Sequence, residues 1–274
     1  MKDFKQKVVV ITGAGSGMGR AYALAFAQRG AKVALNDYDT VALAETVSML
    51  KTANYSDIYA LAFDVSDKAS MFDFAIKVKA KWGNAHVIIN NAGIEGSGKP
   101  IYLTTTEEDH RVMSINYFGV VYGTKAFLPQ IVENKEGAVV NISSIFGLIG
   151  TPNCSDYCAS KFAVRGFTEV LMAEFHQSKT ISIHCVHPGG IATNISRTEN
   201  GAKFSKKYLT TPPEVIVEHV IKSILNKKSK IVFGNQSFLA WFGSNFVPQQ
   251  FLKGIIWNGS KEVINQEDYK KFLG

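Results

Sequence analysis

A short apolar run followed at once by a glycine-rich turn most constrains the fold of this chain. Val8–Ile11 consists of four β-branched residues, which predict a strand buried on both faces of a parallel sheet. The next segment, Thr12–Gly19, has a glycine at every second position from Gly13 onwards. Beyond it, alanine and leucine residues predict a helix that begins near Met18 and ends at Gly30. A strand, a tight turn and a helix in succession form the first half of a βαβ unit.

The rest of the sequence alternates strand-like and helical runs. The further strand candidates are Lys32–Asn36, Ile58–Phe63, His86–Asn90, Ala138–Ile142, Ile181–Val186 and Ile231–Phe233. The helix candidates lie near 41–53, 68–82, 106–134, 155–178 and 213–226. This rhythm predicts an α/β fold with a doubly wound parallel sheet, in which ligands bind at the carboxyl ends of the strands. No linker divides the 274 residues, so we expect a single domain.

The glycine turn has the features of a dinucleotide-binding loop. Gly13 allows a tight turn, Gly17 lets the backbone approach a pyrophosphate, and Gly19 permits close packing of helix on strand. The helix that follows offers unpaired N–H groups and a partial positive charge to phosphates. Since a strand precedes the turn and a helix follows it, the fingerprint stands in the context that it requires.

An acidic residue after the second strand bears on which dinucleotide the chain prefers. Asp37 follows the glycines by about 20 residues, where a carboxylate accepts hydrogen bonds from ribose hydroxyls and repels a 2′-phosphate. Ser16 and Tyr38, where an arginine would attract that phosphate, are neutral. The pattern favours NAD over NADP. Asp37 could instead cap the next helix, although Asp39 or Thr40 could do that.

Tyr157 and Lys161 stand four residues apart, and Ser144 lies thirteen residues before the tyrosine. In a helix, a spacing of four places the phenol and the ammonium on one face, a single turn apart. A free tyrosine keeps its proton until about pH 10, and a neighbouring cation lowers that pKa towards the range of a general acid or base. Combined with the nucleotide-binding loop, the pair predicts proton transfer beside a bound dinucleotide.

These motifs follow one another in an order that resembles the short-chain dehydrogenase/reductase family. The matching features are T-G-x-x-x-G-x-G at Thr12–Gly19, Asp64-Val65, Asn90-Asn91-Ala92-Gly93, Asn116, Ser144, Tyr157 with Lys161, and Pro188-Gly189 with Thr193. The resemblance covers about residues 5–235. It implies a Rossmann-type domain with seven parallel strands and an NAD(P)-dependent oxidoreductase acting on alcohols or carbonyls. It also implies a homodimer or homotetramer.

The resemblance further implies a role for each matching residue. Tyr157 would exchange a proton with the substrate oxygen, and Lys161 would lower the pKa of Tyr157 and hold the nicotinamide ribose. Ser144 would hydrogen-bond the substrate oxygen, although the adjacent Ser143 leaves an ambiguity, and Asn116 would hold a water for a proton relay. Asn91, Ala92 and Gly93 would support the adenosine side, and the backbone of Pro188–Thr193 would clasp the nicotinamide. The expected cofactor contacts are Thr12, Gly13, Gly15, Ser16, Gly17, Met18, Gly19, Asp37, Asp64, Val65, Asn91, Ala92, Gly93, Tyr157, Lys161, Pro188, Gly189, Ile191 and Thr193.

Composition favours a reduced, cytoplasmic protein. The polar start of the chain has no signal-peptide pattern, and no segment approaches the roughly 20 apolar residues of a membrane span. Cys154, Cys158 and Cys185 fit reduced thiols, and without a convincing set of ligands we expect no metal site. His184 and His187 are interpreted as structural histidines. The lysines are scattered, so we expect no nucleic-acid partner.

The C-terminal part of the chain differs from the rest in charge and in apolar content. Residues 1–196 hold 18 Lys and Arg against 17 Asp and Glu, whereas residues 197–274 hold 12 against 6. In the extension 236–274, apolar residues recur at intervals of three and four around Pro248, which predicts two short amphipathic helices. These helices could pack on the sheet or on a partner subunit. Alternatively, they could cover a bulky lipophilic substrate, or residues 236–257 could touch a membrane surface.

The sequence indicates the type of reaction better than it indicates the substrate. The resemblance suggests a mobile substrate loop at residues 194–212, and Ile94–Pro100 and Ile145–Pro152 would shape the pocket. The apolar residues of the last segment weakly favour an apolar substrate. Two other classes stay open: a nucleotide-binding regulator without turnover, and a sugar-nucleotide epimerase or dehydratase. The complete catalytic set argues against the first, and the glycine spacing with a short C-terminal part argues against the second.

Overall fold

In residues 1–193 and 206–270, which a computed structural model describes, seven parallel strands form one sheet. The strands are β1 (Val8–Thr12), β2 (Lys32–Asp37), β3 (Ile58–Ala62), β4 (Val87–Asn90), β5 (Gly137–Ile142), β6 (Ile181–Pro188) and β7 (Lys230–Phe233). They lie in the order β3-β2-β1-β4-β5-β6-β7. The predicted doubly wound α/β fold is therefore confirmed. The direction of winding reverses between β1 and β4, and such a reversal opens a crevice at the carboxyl ends of the strands.

Helices cover both faces of the sheet. They are α1 (Gly17–Gln28), α2 (Thr40–Thr52), α3 (Lys68–Trp82), α4 (Thr106–Met113), α5 (Gly119–Asn134), α6 (Ser155–Glu174), α7 (Pro213–Leu225), α8 (Ser237–Phe246) and α9 (Gln249–Ser260). Side chains just before several helices fix where those helices begin. Asp67 accepts from the backbone of Ala69 at the start of α3, and Thr105 forms a capping box with Glu108 at the start of α4.

The two faces of β1 supply two separate apolar cores. Val9 and Ile11 pack into one cluster with residues of α1 and α7, whereas Val8 and Val10 pack into another with residues of α3 and α5. All four side chains are buried. Since a strand covered on both faces needs apolar residues at successive positions, the uninterrupted run in the sequence has a direct structural cause.

The helix expected over 106–134 is interrupted. A π-helical turn at Ser114–Phe118 separates α4 from α5. The turn carries Asn116, whose amide binds the backbone of Ile94 on the loop after β4. Single π turns inside α-helices are frequent at functional sites, because the extra residue redirects a side chain. The helix expected over 155–178 ends at Glu174, four residues early.

Candidate active site

The backbone of the β1–α1 turn leaves space only for glycine at its two ends. A Cβ atom at Gly19 would lie 1.8 Å from the carbonyl oxygen of Gly13. A Cβ atom at Gly13, where φ is +66°, would lie 2.8 Å from Cα of Ala92. The side chain of Ser16 leaves the first N–H groups of α1 uncapped. The turn therefore fits the phosphates of a dinucleotide, with Met18 at the start of the helix.

Asp37 is held at the glycine turn by its own hydrogen bonds. Its Oδ2 accepts from the backbone N–H of Gly15 at 2.8 Å, and its Oδ1 accepts from the N–H of Asp39 at 3.0 Å. Asp39, not Asp37, caps α2, because its carboxylate accepts from Val41 and Ala42. The alternative that Asp37 serves as the helix cap is therefore wrong.

Arg20 is a charged neighbour of this turn that sequence reasoning missed. Its guanidinium donates to the carbonyl oxygen of Gly15, to Thr46 at 3.0 Å and to Glu45 at 2.9 Å. The ion pair with Glu45 offsets the positive charge of the arginine on the side of α2. A basic and an acidic residue on successive helices were the available signal, but their pairing depends on how α1 packs against α2.

Thr12 and Asn91 join the ends of β1 and β4. The Thr12 hydroxyl accepts from the N–H groups of Asn91 and Ala92 at 3.0 and 3.1 Å. The Asn91 amide donates to the carbonyl oxygen of Thr12 at 2.9 Å. Gly93 lies next to Lys161 and Asn116, since a Cβ atom there would come within 3.4 and 3.1 Å of their side chains. The structure thus places Gly93 at the end of the crevice that holds Lys161, and its role on the adenosine side stays a prediction.

The other expected cofactor contacts lie around the same crevice. Asp64 pairs with Arg111 at 2.9 Å, and Val65 packs against Gly119 of α5. Across the crevice, a Cβ atom at Gly17 would meet the methyl group of Thr193 at 3.0 Å. Pro188 ends β6, and Gly189 and Ile191 begin the segment that leads to Thr193. The turn after β1 and the segment after β6 are therefore direct neighbours. Most of the expected substrate loop, residues 194–205, lies outside the described residues.

Ser144, Tyr157 and Lys161 come together at the carboxyl end of β5. The Ser144 hydroxyl lies beside the Tyr157 phenol, close enough for hydrogen bonding to lower the pKa of the phenol, and it accepts from the N–H of Phe146 at 3.1 Å. Lys161 Nζ lies 5.5 Å from the centre of the Tyr157 ring and donates to the carbonyl oxygen of Ile142 at 3.1 Å. Both residues are on α6, one turn apart, as the spacing predicts.

The two adjacent serines point to different partners. Ser143 donates to the backbone carbonyl of Lys161 at 2.8 Å and is buried against Gly147. Ser144 instead contacts Tyr157, and its carbonyl oxygen lies 3.0 Å from Nδ1 of the buried His187. The geometry thus favours Ser144 over Ser143 as the group beside the phenol. His187, expected to be structural, supports the backbone of Ser144.

Burial dominates the protonation of the two titratable groups. Burial raises the pKa of Tyr157, and the hydrogen bond with Ser144 lowers it by a smaller amount. Burial lowers the pKa of Lys161 to about 8. The expected lowering of the Tyr157 pKa by Lys161 is therefore not what the protein produces by itself, because the loss of hydration outweighs the opposing effect of Ser144. At neutral pH the phenol is protonated and the lysine carries its charge.

Asn116 is tied to the loop after β4 and to α6. Its Oδ1 accepts from the N–H of Ile94 at 2.8 Å, and its Nδ2 donates to the carbonyl oxygen of Ile94 at 3.0 Å. The same amide group donates to Ser160 Oγ at 3.1 Å. The side chain thus fixes the backbone that borders Lys161.

Asp156 is a second residue that sequence reasoning missed. Its buried carboxylate accepts from the N–H of Tyr157 and from the N–H of Ser97, both at 2.7 Å. Gly96 leaves room for this contact, because a Cβ atom there would lie 2.1 Å from Oδ1 of Asp156. Asp156 therefore fastens the loop 94–100 to the helix that carries Tyr157. An acidic residue beside the tyrosine was visible, but its partner lies 59 positions away.

The C-terminal segment closes one side of the crevice. Ser260, at the end of α9, contacts Thr151 with 3.3 Å between the hydroxyl oxygens. Tyr269 donates a hydrogen bond to the side chain of Asn153, and Tyr102 donates to the backbone of Asp268. The predicted pair of helices around Pro248 is present as α8 and α9. The end of α9 thus lies against the loop that follows Ser144, and the residues after α9 reach the turn at Ile101–Leu103.

The cysteines beside the tyrosine carry free thiols. Burial raises the pKa of Cys154 to about 12 and that of Cys158 to about 11. A thiol that keeps its proton is a weak nucleophile and a weak metal ligand. Within residues 1–193 and 206–270, no group of three or more acidic, histidine or cysteine residues could hold a metal ion.

Comparison with known proteins decides the family. The model of the short chain dehydrogenases matches residues 7–203. The chain belongs to the short-chain dehydrogenase/reductase family. It is an NAD(P)-dependent oxidoreductase of this family.

Relatives and solved structures agree with this assignment. SadH of Mycobacterium tuberculosis, a protein named as an oxidoreductase, is 38% identical over 85% of this chain and 88% of its own length. Human epidermal retinol dehydrogenase 2 is 33% identical over 90% of this chain and 80% of its own length. A short-chain dehydrogenase/reductase of Burkholderia phymatum, solved with NAD, is 28% identical with a TM-score of 0.79, covering 84% and 90% of the two chains. Levodione reductase has a TM-score of 0.78 at 29% identity, covering 89% of this chain and 99% of its own.

Proposed function

We propose that this protein transfers a hydride between a lipophilic alcohol, preferably secondary, and its carbonyl form, with NAD as the preferred cofactor. The proposal depends on one observation: the Ser144 hydroxyl lies within hydrogen-bonding reach of the Tyr157 phenol, while Lys161 lies beside the phenol ring. A protein that only binds nucleotides needs no hydroxyl pair of this kind. The arrangement therefore argues against a regulator without turnover.

The three side chains divide the work of moving a proton. A bound nicotinamide dinucleotide supplies the hydride chemistry. The protonated phenol of Tyr157 donates a proton to the substrate oxygen during reduction and takes it back during oxidation. Ser144 Oγ hydrogen-bonds the same oxygen and sets its position against the phenol. The charge of Lys161 stabilises the phenolate that forms when Tyr157 gives up its proton.

Asn116 supports this exchange from the other side of the crevice. By holding both backbone groups of Ile94, it keeps the loop after β4 beside Lys161. In our proposal, this geometry lets a water next to Asn116 return protons to Lys161.

The preference for NAD rests on Asp37 and its surroundings. The carboxylate is buried at the glycine turn, and Asp39 already caps α2, so Asp37 is left to accept from ribose hydroxyls. The arginine nearest to the turn, Arg20, is paired with Glu45. A carboxylate at this place repels a 2′-phosphate.

An apolar substrate is supported by the residues around the phenol. The ring of Phe146 stands edge-on to the Tyr157 ring, with 6.2 Å between the ring centres. Ile145 and Leu148 flank Phe146 in the same turn, and Leu148 is buried. One relative is named for retinol, which is in keeping with a lipophilic substrate.

Assembly and location complete the proposal. Exposed apolar side chains at Phe118, Phe162 and Val170 support a homodimer or homotetramer. A cytoplasmic location stays a prediction.

The test compares three variants with the unmodified protein in a screen of alcohols and ketones of increasing chain length, with NAD(H) and NADP(H). Tyr157→Phe removes only the transferable proton, so we expect turnover to fall by about 10²–10⁴-fold with little change in NADH binding. Ser144→Ala should also lower turnover, whereas Ser143→Ala removes only a hydrogen bond to the backbone of Lys161 and should lower turnover by much less. Nicotinamide absorbance gives the rates, and titration calorimetry gives the binding. Tyr157→Phe turnover within a few-fold of the unmodified protein on its best substrate would refute the assignment.

A further inference from the structure

Helix α8 has its small residues inside and its large apolar residues outside. Its buried positions are Ser237, Ala240 and Gly243. Its exposed positions include Phe238, Leu239, Phe242 and Phe246, with Phe238 and Phe246 exposed to 66% and 63%. A surface helix of a globular protein normally turns its apolar side to the core. The orientation of α8 is the reverse, so its large side chains serve something other than the core of this chain.

The exposed side chains continue onto α9 and form one surface. Gly243 of α8 packs close to Leu252 of α9, which holds the two helices together. Along α8, the Phe242 and Phe246 rings lie 5.2 Å apart and the Phe238 and Phe242 rings 6.3 Å apart. Helix α9 adds the exposed Phe251 and Ile255. We name this surface the aromatic face; it comprises Phe238, Leu239, Phe242, Phe246, Phe251 and Ile255.

The segment that carries the aromatic face is positively charged. Residues 231–260 contain no acidic residue, and Lys253 is the one charged residue among them. Lys228 and Lys230 line a shallow hollow together with Phe238 and Trp241. The apolar surface is thus bordered by ammonium groups. This combination, rings on one side and lysines at the border, matches an interface where hydrocarbon meets anionic headgroups.

We propose that the aromatic face binds the surface of a membrane that contains anionic lipids. No helix in the described part of the chain is long and apolar enough to cross a membrane, so the contact would be peripheral. A second copy of this chain is the competing occupant. A two-fold contact would bring the bordering lysines of one copy near those of the other, and like charges repel. Anionic headgroups instead complement the lysines.

The position of the aromatic face relates membrane contact to the entry of substrate. Helix α8 packs on β7 and on the turn Ile145–Gly147, which directly follows Ser144. A membrane bound at the aromatic face would therefore lie next to the entrance for substrate. Membrane binding is measured without turnover, so its failure would leave the proposed reaction untouched.

The experiment compares sedimentation of the full chain with phosphatidylcholine vesicles, with and without phosphatidylglycerol. We expect binding to the anionic vesicles that weakens with added salt, and weaker binding to the neutral ones. Phe238→Ser with Phe246→Ser should lower the bound fraction by about tenfold or more. The matched control, Val41→Ser with Ile76→Ser, changes side chains that are each 68% exposed on other helices and should bind like the unmodified protein. Lys228→Glu with Lys253→Glu should reduce binding to anionic vesicles more than to neutral ones.

Circular dichroism and the thermal midpoint should be unchanged in all three variants, because every substituted side chain is exposed. The proposal is overturned if the unmodified protein stays in the supernatant with both kinds of vesicle. It is also overturned if the control pair loses as much binding as the phenylalanine pair. A phenylalanine pair that lowers the molar mass in light scattering and keeps its vesicle binding would assign the face to a second copy.

Discussion

The two ends of the ligand-binding edge are held in place by different physical means. At the β1–α1 turn, position depends on the backbone, since Gly13 and Gly19 leave no room for a Cβ atom. At the catalytic end, position depends on buried side chains. Ser143 holds the backbone of Lys161, and Asp156 holds the loop beside Tyr157.

The two ends also differ in how much they lower the stability of the fold. A glycine turn gives up the conformational freedom of the unfolded chain, and the carboxylate of Asp37 buried beside it accepts from two backbone N–H groups. The catalytic end keeps an ammonium group away from water, and the lowered pKa of Lys161 records that cost. The free energy of unfolding is therefore lowered mainly by the buried charge at the catalytic end. Each prediction below changes one end and leaves the other alone.

The largest effect is expected from Lys161→Met. Turnover should fall by about 10²-fold or more, while the free energy of unfolding at pH 7 should rise by about 1–2 kcal/mol. A shift of the lysine pKa from 10.5 to about 8 corresponds to a destabilisation of roughly 3 kcal/mol, which the variant removes. In the variant the carbonyl oxygen of Ile142 loses its hydrogen bond, and this loss offsets part of the gain. Denaturant unfolding and initial rates measure the two quantities.

The pH dependence gives that prediction its sign. Below pH 8 the buried lysine is charged in the folded state, so the unmodified protein bears the full free-energy penalty of burying that charge. Between pH 8 and 10.5 the folded lysine loses its proton first, and the unmodified protein gains stability relative to the variant. The advantage of Lys161→Met should therefore shrink over this range. Lys77→Met, an exposed lysine paired with Asp73, is the control and should bring no gain. A variant that is less stable at pH 7 would contradict a buried-charge penalty.

The next effect concerns the cofactor end. Asp37→Ser combined with Tyr38→Arg should shift the ratio of kcat/KM for NAD over NADP by about 10–100-fold towards NADP. The change removes the repulsive carboxylate and adds a cation for the 2′-phosphate. Asp39→Ser is the control, since it weakens the cap of α2 and should leave the ratio unchanged. An unmodified protein that already prefers NADP would show that Asp37 does not set the preference.

The smallest effect is expected from Asp156→Asn, which keeps the shape of the side chain but removes one of its acceptors. The amide can no longer accept from both Tyr157 and Ser97, so the loop 94–100 should loosen. We expect KM to rise about tenfold with a smaller change in kcat, because one hydrogen bond to a charged group contributes about 1.5–3 kcal/mol. Asp73→Asn, in an exposed ion pair, is the control. If Asp156→Asn and Asp73→Asn changed kcat and KM by the same factors, Asp156 would have no particular role in holding the loop 94–100.

Some residues could be placed from the sequence because their partners are near in the chain. Tyr157 and Lys161 share a helix, and the capping of α2 by Asp39 follows from its place before the helix. Other residues could not be placed, because their partners are distant. Asn90 binds Asn141 at 2.8 Å across 51 positions, and the bond forms only when β4 pairs with β5.

The C-terminal helices show the same limit of prediction from sequence. Intervals of three and four predict that residues around Pro248 form amphipathic helices, and they do. The intervals do not say which side faces the sheet. Close packing on β7 and against Leu252 of α9 admits only small side chains, so Ala240 and Gly243 turn inwards and the rings turn out.

The βαβ order, the glycine turn and the catalytic spacing can be read from the amino-acid sequence, because strand burial, backbone freedom and helix periodicity are local properties. Only the tertiary structure decided which serine meets the phenol, which acid fastens the loop, and which face of α8 stays outside. Those choices depend on distances between segments far apart in the chain, and such distances exist only once the sheet has formed.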